Sequence, residues 1–244
     1  MEQYFKGKTV LVTGAGWGIG AATALLYAAH GANVVVSDTS RQGGKDTIEK
    51  IKSQKGDATY IKTDVSNATA CENLIKRTIE IYGSIDIACN NSAIFSGPLQ
   101  PAGKGIKAFY KEVALNLHGL NNCMQYEIAA MQKQGGGVIV NTSSIIGAIG
   151  LASLGQYVHV KYGTAELKQD APREHPVRGI HINTIAPAFI KKAVLKATIE
   201  LENEKRVNLT PIGGRGMAQE VAGLVLWLSS DETYLLPTEF NDTN

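Results

Sequence analysis

The fold class this sequence predicts is an α/β domain: a doubly wound, mainly parallel sheet with helices on both faces. Three observations predict it. Short continuous apolar runs recur along the chain, the pattern of strands buried on both sides. Helical patterns, amphipathic or rich in small residues, fill the intervals between them. A glycine-rich segment from Gly14 to Gly20 joins the first run to the first helical pattern, where a strand must turn sharply into a helix.

Taken in order, residues 8–13 form the first apolar run, and 18–30 is a helical pattern with a small, apolar side. A strand is expected over 33–37, an amphipathic helix over 43–55, a strand over 58–62 and a second amphipathic helix over 68–82. Residues 85–89 read as the fourth strand. The long pattern over 104–134 reads as two helices, or as one broken near Gly119. Strands over 137–141 and 179–185 follow, separated by a helix over 157–170. A short apolar helix over 219–229 and a seventh strand over 239–241 complete the sheet. No internal repeat, low-complexity tract or linker divides the chain, so residues 1–244 are expected to form a single domain. The polar, helix-forming stretch 191–210 reads as a short substrate lid within it.

Composition removes several function classes. With 44% hydrophobic and 19% charged residues, the chain can bury a substantial core. A net charge of +2, with basic residues scattered, argues against nucleic acid and anionic membranes as partners. No apolar run approaches the roughly 18 residues of a membrane span. Cys71, Cys89 and Cys123 form no CxxC pair and read as free thiols of a reducing compartment. The five histidines lack metal-ligand spacing, so no metal is expected. The chain enters its first strand directly after Met1-Glu2-Gln3-Tyr4-Phe5-Lys6, leaving no room for a signal peptide. A soluble, cytoplasmic protein is the expectation.

Gly14, Gly18 and Gly20 stand where backbone must approach a phosphate closely and a helix must sit tightly on the sheet. Free N–H groups at that helix start would attract the pyrophosphate of a dinucleotide. Asp38 closes the second strand, eighteen residues after Gly20, and can accept from both adenosine ribose hydroxyls while repelling a 2′-phosphate. Trp17 supplies no cation for such a phosphate, and Arg41 is the one nearby. NAD is therefore favoured over NADP. The alternative role for Asp38 is to cap a turn with Thr39 and Ser40.

Tyr157 and Lys161 lie four residues apart, one helical turn, with Ser144 thirteen residues upstream of the tyrosine. A phenol titrates near 10 in isolation. A neighbouring ammonium is expected to lower that value and, with the positive charge of an oxidised nicotinamide beside it, to make Tyr157 a workable general base. Ser144 can donate to a substrate oxygen as charge develops on it. Together with the glycine turn, this points to hydride transfer between a nicotinamide and an alcohol or carbonyl.

These segments, in this order, resemble the short-chain dehydrogenase/reductase family over nearly the whole chain. TGxxxGIG appears as Thr13-Gly14-Ala15-Gly16-Trp17-Gly18-Ile19-Gly20, and YxxxK as Tyr157 and Lys161. The acidic residue near adenine matches Asp64, with Val65 beside it. The NNAG segment matches Asn90-Asn91-Ser92-Ala93, and the active-site helix asparagine matches Asn116. The catalytic serine matches Ser144, and Pro-Gly after the sixth strand appears as Pro187-Ala188. The resemblance implies a Rossmann-type fold and a catalytic set of Ser144, Tyr157, Lys161 and Asn116. Lys161 would also bond the nicotinamide ribose, and Asn116 would hold a water linking Lys161 to solvent. Cofactor positions are then Gly14, Trp17, Gly18, Ile19, Gly20, Asp38, Thr39, Asp64, Val65, Asn91, Ser92, Ala93, Pro187 and Ile190, with Tyr157 and Lys161 serving both parts. Departures from the family pattern gather at the nicotinamide end and the C-terminus: Ser92-Ala93, Ala188, Lys192, Pro172 and Tyr234-Leu235-Leu236-Pro237.

The expected activity is NAD-dependent interconversion of a secondary alcohol and a ketone. Ile94, Phe95, Ile146, Ala148, Ile149, Phe189 and Ile190 are candidate pocket residues, and their apolar character suggests a hydrophobic or alicyclic substrate. A 3-oxoacyl-carrier-protein reductase, with Lys133 and Arg178 in a docking patch, is the enzyme alternative. A non-catalytic NAD-binding or sensing protein is the alternative of another class. The resemblance further implies a homotetramer, with a homodimer the other option.

Overall fold

The computed structural model of the chain describes residues 3–95, 105–145, 147, 157–164, 179–191 and 214–233. Its first half alternates strand and helix: β1 (Thr9–Thr13), α1 (Gly18–Ala29), β2 (Asn33–Asp38), α2 (Arg41–Ser53), β3 (Asp57–Lys62), α3 (Ala68–Tyr82) and β4 (Ile87–Asn90). Then come α4 (Gly105–Glu112), a π-helical turn (Val113–His118), α5 (Gly119–Gln134) and β5 (Gly137–Thr142). Residues 157–164 form the helical segment α6. β6 (Ile180–Ile185) and α7 (Ala218–Leu228) follow.

Six strands form one sheet in the order β3-β2-β1-β4-β5-β6, and every neighbouring pair is parallel. Alternation along each strand feeds two cores. Val10, Val12, Val34 and Val36 join Ala24, Tyr27, Val221 and Val225 beneath α1 and α7. Leu11, Val35 and Ile139 join Leu74, Ile75, Met124 and Met131 beneath α3 and α5. Strand order reverses between β1 and β4, and ligands bind at such a switch point, beyond the carboxyl ends of the strands.

Element boundaries differ from the periodicity reading for identifiable reasons. β4 starts at Ile87 rather than 85 because the Gln134 side chain takes both backbone groups of Ile85 out of the ladder. The second helix starts at Arg41 rather than 43 because the Ser40 hydroxyl caps it, accepting from Gly43 N at 3.2 Å. The break expected near Gly119 is the π-helical turn just before it. Of the expected lid, only Lys191 is described; the rest of it, residues 165–170 of the expected sixth helix and the seventh strand over 239–241 lie outside the described residues. Among the described residues, no helix is long and apolar enough to cross a membrane.

Candidate active site

β1 ends at Thr13, and Gly14 turns the chain with φ +62°, a left-handed conformation that a side chain would strain. Gly20 has a second constraint: a Cβ there would run into the Gly14 carbonyl and lie 2.6 Å from Asn91 Nδ2. The turn delivers Trp17, in extended conformation, to the start of α1, and among the described residues no side chain caps that helix. Its first N–H groups thus remain available to an anion, as a dinucleotide pyrophosphate requires.

Asp38 is buried at the end of β2. Its carboxylate accepts from Gly16 N at 2.9 Å and from Ser40 N at 2.8 Å. It therefore braces the glycine turn and caps its own turn, using one lone pair on each oxygen and leaving capacity for ribose hydroxyls. Thr39 is exposed beside it. The Trp17 ring, 60% exposed, lies against the first turn of α2, where a Cβ on Gly43 would be 3.2 Å from it. Asp64 is exposed, and its carboxylate accepts from the Ser66 amide and hydroxyl, while Thr63 beside it donates its N–H to the Asp38 carbonyl at 3.3 Å. Val65 is buried against Gly119.

Thr13 organises the segment after β4, a role that the motif reading left unassigned. Its hydroxyl oxygen accepts from Asn91 N at 3.1 Å and Ser92 N at 3.2 Å, while Asn91 Nδ2 donates to the Gly14 carbonyl. Asn116 sits in the π-helical turn, a geometry frequent at functional sites because the extra residue re-aims a side chain. Both of its amide groups engage one backbone: Oδ1 accepts from Ile94 N, and Nδ2 donates to Ile94 O, each at 2.8 Å. A cavity of about 10 Å3 lies among Thr13, Asn90, Ser92, Asn116 and Thr142, enough for one water.

The two serines that end β5 separate cleanly. Ser143 Oγ donates to the Lys161 carbonyl at 2.9 Å and pairs with Thr164 Oγ1, so it anchors α6. Ser144 instead hydrogen-bonds the Tyr157 phenol. Lys161 is buried; its Nζ donates to the Thr142 carbonyl at 3.2 Å and lies 5.9 Å from the Tyr157 ring centroid. Phe95 meets the Tyr157 ring edge-on, with centroids 5.2 Å apart. Taken together, the chain's own groups do not lower the phenol pKa. Burial raises it above 10, the Ser144 bond pulls it down, and the Glu112 carboxylate pushes it up again. The ammonium lies over the face of the ring, and desolvation of the phenolate is the largest effect on the phenol. Nothing in the spacing of the long helical pattern singled out Glu112.

Pro187 O accepts from Ile145 N, tying the segment after β6 to the one after β5. Ile190 pairs in parallel with Gly216. Of the candidate pocket residues, Ile94, Phe95, Phe189 and Ile190 are described, whereas Ile146, Ala148 and Ile149 lie outside the described residues. Cys71, Cys89 and Cys123 are free and buried.

A parallel sheet with a switch-point glycine turn, and a serine–tyrosine–lysine cluster beyond its strand ends, defines the class of dinucleotide-dependent oxidoreductases. Comparison with known proteins narrows this to a family. Residues 8–203 match the model of the short chain dehydrogenase family. Cyclohexanol dehydrogenase from Acinetobacter sp. (strain SE19) is 34% identical over 232 residues, covering 95% of this chain and 91% of that protein. The 3-oxoacyl-(acyl-carrier-protein) reductase of Staphylococcus aureus (strain Mu50) is 33% identical over 226 residues, covering 92% of each chain. The crystal structure of levodione reductase superposes with a TM-score of 0.90 at 29% identity, covering 96% of this chain and 95% of that one. The chain belongs to the short-chain dehydrogenase/reductase family. It is a dehydrogenase/reductase acting on CH–OH groups, from a family that uses NAD(P).

Proposed function

We propose that this protein interconverts a secondary alcohol and a ketone with NAD, using Tyr157 as the general acid and base. The observation that carries the reading is the Ser144–Tyr157 hydrogen bond with the Lys161 ammonium 5.9 Å from the same ring. The cofactor, when bound, supplies the carbon that accepts or returns the hydride. In oxidation, Tyr157 takes the hydroxyl proton of the substrate while its carbon gives up hydride; in reduction, the phenol returns a proton to the carbonyl oxygen. Ser144 donates to that same oxygen as its charge develops. The Lys161 ammonium stabilises the phenolate, and the water-sized space between Thr142 and Asn116 offers a route for proton exchange.

Several residues suit the dinucleotide. The uncapped start of α1 suits the pyrophosphate, and Asp38 suits an unphosphorylated ribose. Gly14, Gly18, Ile19 and Gly20 would approach the phosphates. Asn91, Ser92, Ala93, Pro187 and Ile190 would line the nicotinamide end, with Asp64 and Val65 at the adenine end. The apolar Ile94, Phe95 and Phe189, and a cyclic-alcohol dehydrogenase among the relatives, favour an alicyclic substrate. We place the enzyme in the cytoplasm as a homo-oligomer.

Absorbance at 340 nm, followed over a panel of secondary alcohols and ketones with NAD(H) and NADP(H) in parallel, tests the proposal. Oxidation of a cyclic alcohol with NAD is expected. A second reading, reduction of 3-oxoacyl thioesters with NADPH, is favoured by Arg41 at the start of α2 and by the staphylococcal relative. Turnover of an acyl thioester with NADPH alone would establish it. Binding of NADH without turnover across the panel would mark a non-catalytic sensor.

A further inference from the structure

A buried polar cluster lies beneath the carboxyl ends of β4 and β5, and hydride transfer makes no use of it. Glu127, on α5, has no exposed surface. Its Oε2 accepts from Asn90 Nδ2 at 2.8 Å, and the same amide donates to Asn141 Oδ1 at 3.1 Å. Asn141 Nδ2 in turn points at Met124 Sδ, 3.3 Å away. Among the described residues, Glu127 Oε1 and Asn90 Oδ1 have no hydrogen-bond partner. Among the described residues, no salt bridge reaches the carboxyl. The titratable groups that bear on it are the Cys89 thiol on β4 and the Cys123 thiol one turn away on α5, which itself touches Cys71 of α3. Burial without a cation favours the neutral acid, pushing the carboxyl up to about 7.

Location gives this cluster its significance. Asn90 is the last residue of β4 and pairs in register with Asn141 of β5. Asn91 and Ser92, the next two residues, are bonded to Thr13 and Gly14. Ser143 and Ser144 follow β5 directly. One carboxyl oxygen on the inner helix therefore holds the amide at the root of both segments. Asn90 also lines the water-sized cavity on its other side, together with Asn116 and Thr142.

We propose that Glu127 is a positioning residue for the cofactor loop: it fixes the Asn90 amide beside Asn141 and thereby sets where residues 91–94 leave the sheet to meet the glycine turn. The proposal rests on the reading of the chain as a dinucleotide-dependent enzyme. Glu127→Gln keeps a neutral acceptor oxygen of the same length, whereas Glu127→Leu keeps the bulk and removes the acceptor.

The test measures kcat, the cofactor KM and NADH binding for both variants, together with backbone amide exchange at Asn91 and Ser92. Loss of one buried hydrogen bond predicts about a tenfold rise in cofactor KM for Glu127→Leu, with kcat changed less than about threefold. Glu127→Gln should stay within about twofold of the wild type, a rescue that a bulk-packing role does not predict. Should Glu127→Leu fail to fold, Asn141→Ala, which removes the second anchor of the same amide, is read in the same way. An unchanged KM in Glu127→Leu, or equal impairment in Glu127→Gln, overturns the proposal. A wild type that binds neither NADH nor NADPH defeats the enzymatic reading instead. Amide exchange then still decides the matter: faster exchange at 91 and 92 in Glu127→Leu, but not in Glu127→Gln, supports positioning, and equal protection refutes it.

Discussion

Replacing Glu127 by glutamine isolates what one buried carboxyl costs this fold. The group is fully buried and, among the described residues, accepts a single hydrogen bond, from Asn90. Desolvation raises its pKa from 4.5 to about 7, against the lowering effect of that bond. Between those values the folded chain binds a proton that the unfolded chain has released. Stability attributable to Glu127 is therefore fully present below 4.5, falls as pH rises, and is lost above about 7. The shift corresponds to about 3 kcal/mol. Glutamine carries no charge at any pH, so the variant should gain on the wild type by about that amount between about pH 4 and pH 8. Urea unfolding at a series of pH values, followed by the fluorescence of Trp17 and Trp227, measures the difference. Other titrations are shared by both proteins and cancel. A difference that stays flat with pH would show that the carboxyl is solvated or paired in solution, and the argument from burial would fall.

Tyr157→Phe should retain NADH binding and lose at least about a hundredfold in kcat, measured at 340 nm with a competent substrate. Because burial raises the Tyr157 pKa, alcohol oxidation should accelerate into the alkaline range. Ser144→Ala, which deletes a hydrogen bond that pulls the Tyr157 pKa down, should move that limb of the pH–rate profile upward as well as lowering kcat. Ser143→Ala should leave the limb in place and lower the melting temperature, since that hydroxyl holds the Lys161 carbonyl. Gly20→Ala should abolish cofactor binding in a fluorescence titration, because its Cβ would collide with the glycine turn and Asn91. Asp38→Asn removes the charge that repels a 2′-phosphate, so the NADP-to-NAD ratio of kcat/KM should rise about tenfold or more.

Local chemistry made much of this protein legible before folding. The apolar runs identified six strands because a strand buried on both faces has to be apolar throughout. The glycines identified the turn because Gly14 adopts a left-handed conformation and Gly20 leaves no room for a Cβ. The pairing of Tyr157 with Lys161 followed from helical spacing alone. Long-range contacts supplied the rest. Which serine meets the phenol depends on how α6 docks against the end of β5, a contact thirteen residues away in sequence that spacing does not orient. The direction of the Tyr157 shift depends on burial and on Glu112, neither of which the YxxxK segment reveals. Thr13 became a loop anchor, and Asn116 a clamp on Ile94, only when the switch point brought β1, β4 and the π-helical turn together. Periodicity records which face of an element is apolar. Hydrogen bonds and desolvation depend on the partner that the tertiary fold sets opposite, and so the energetics of the site were decided there.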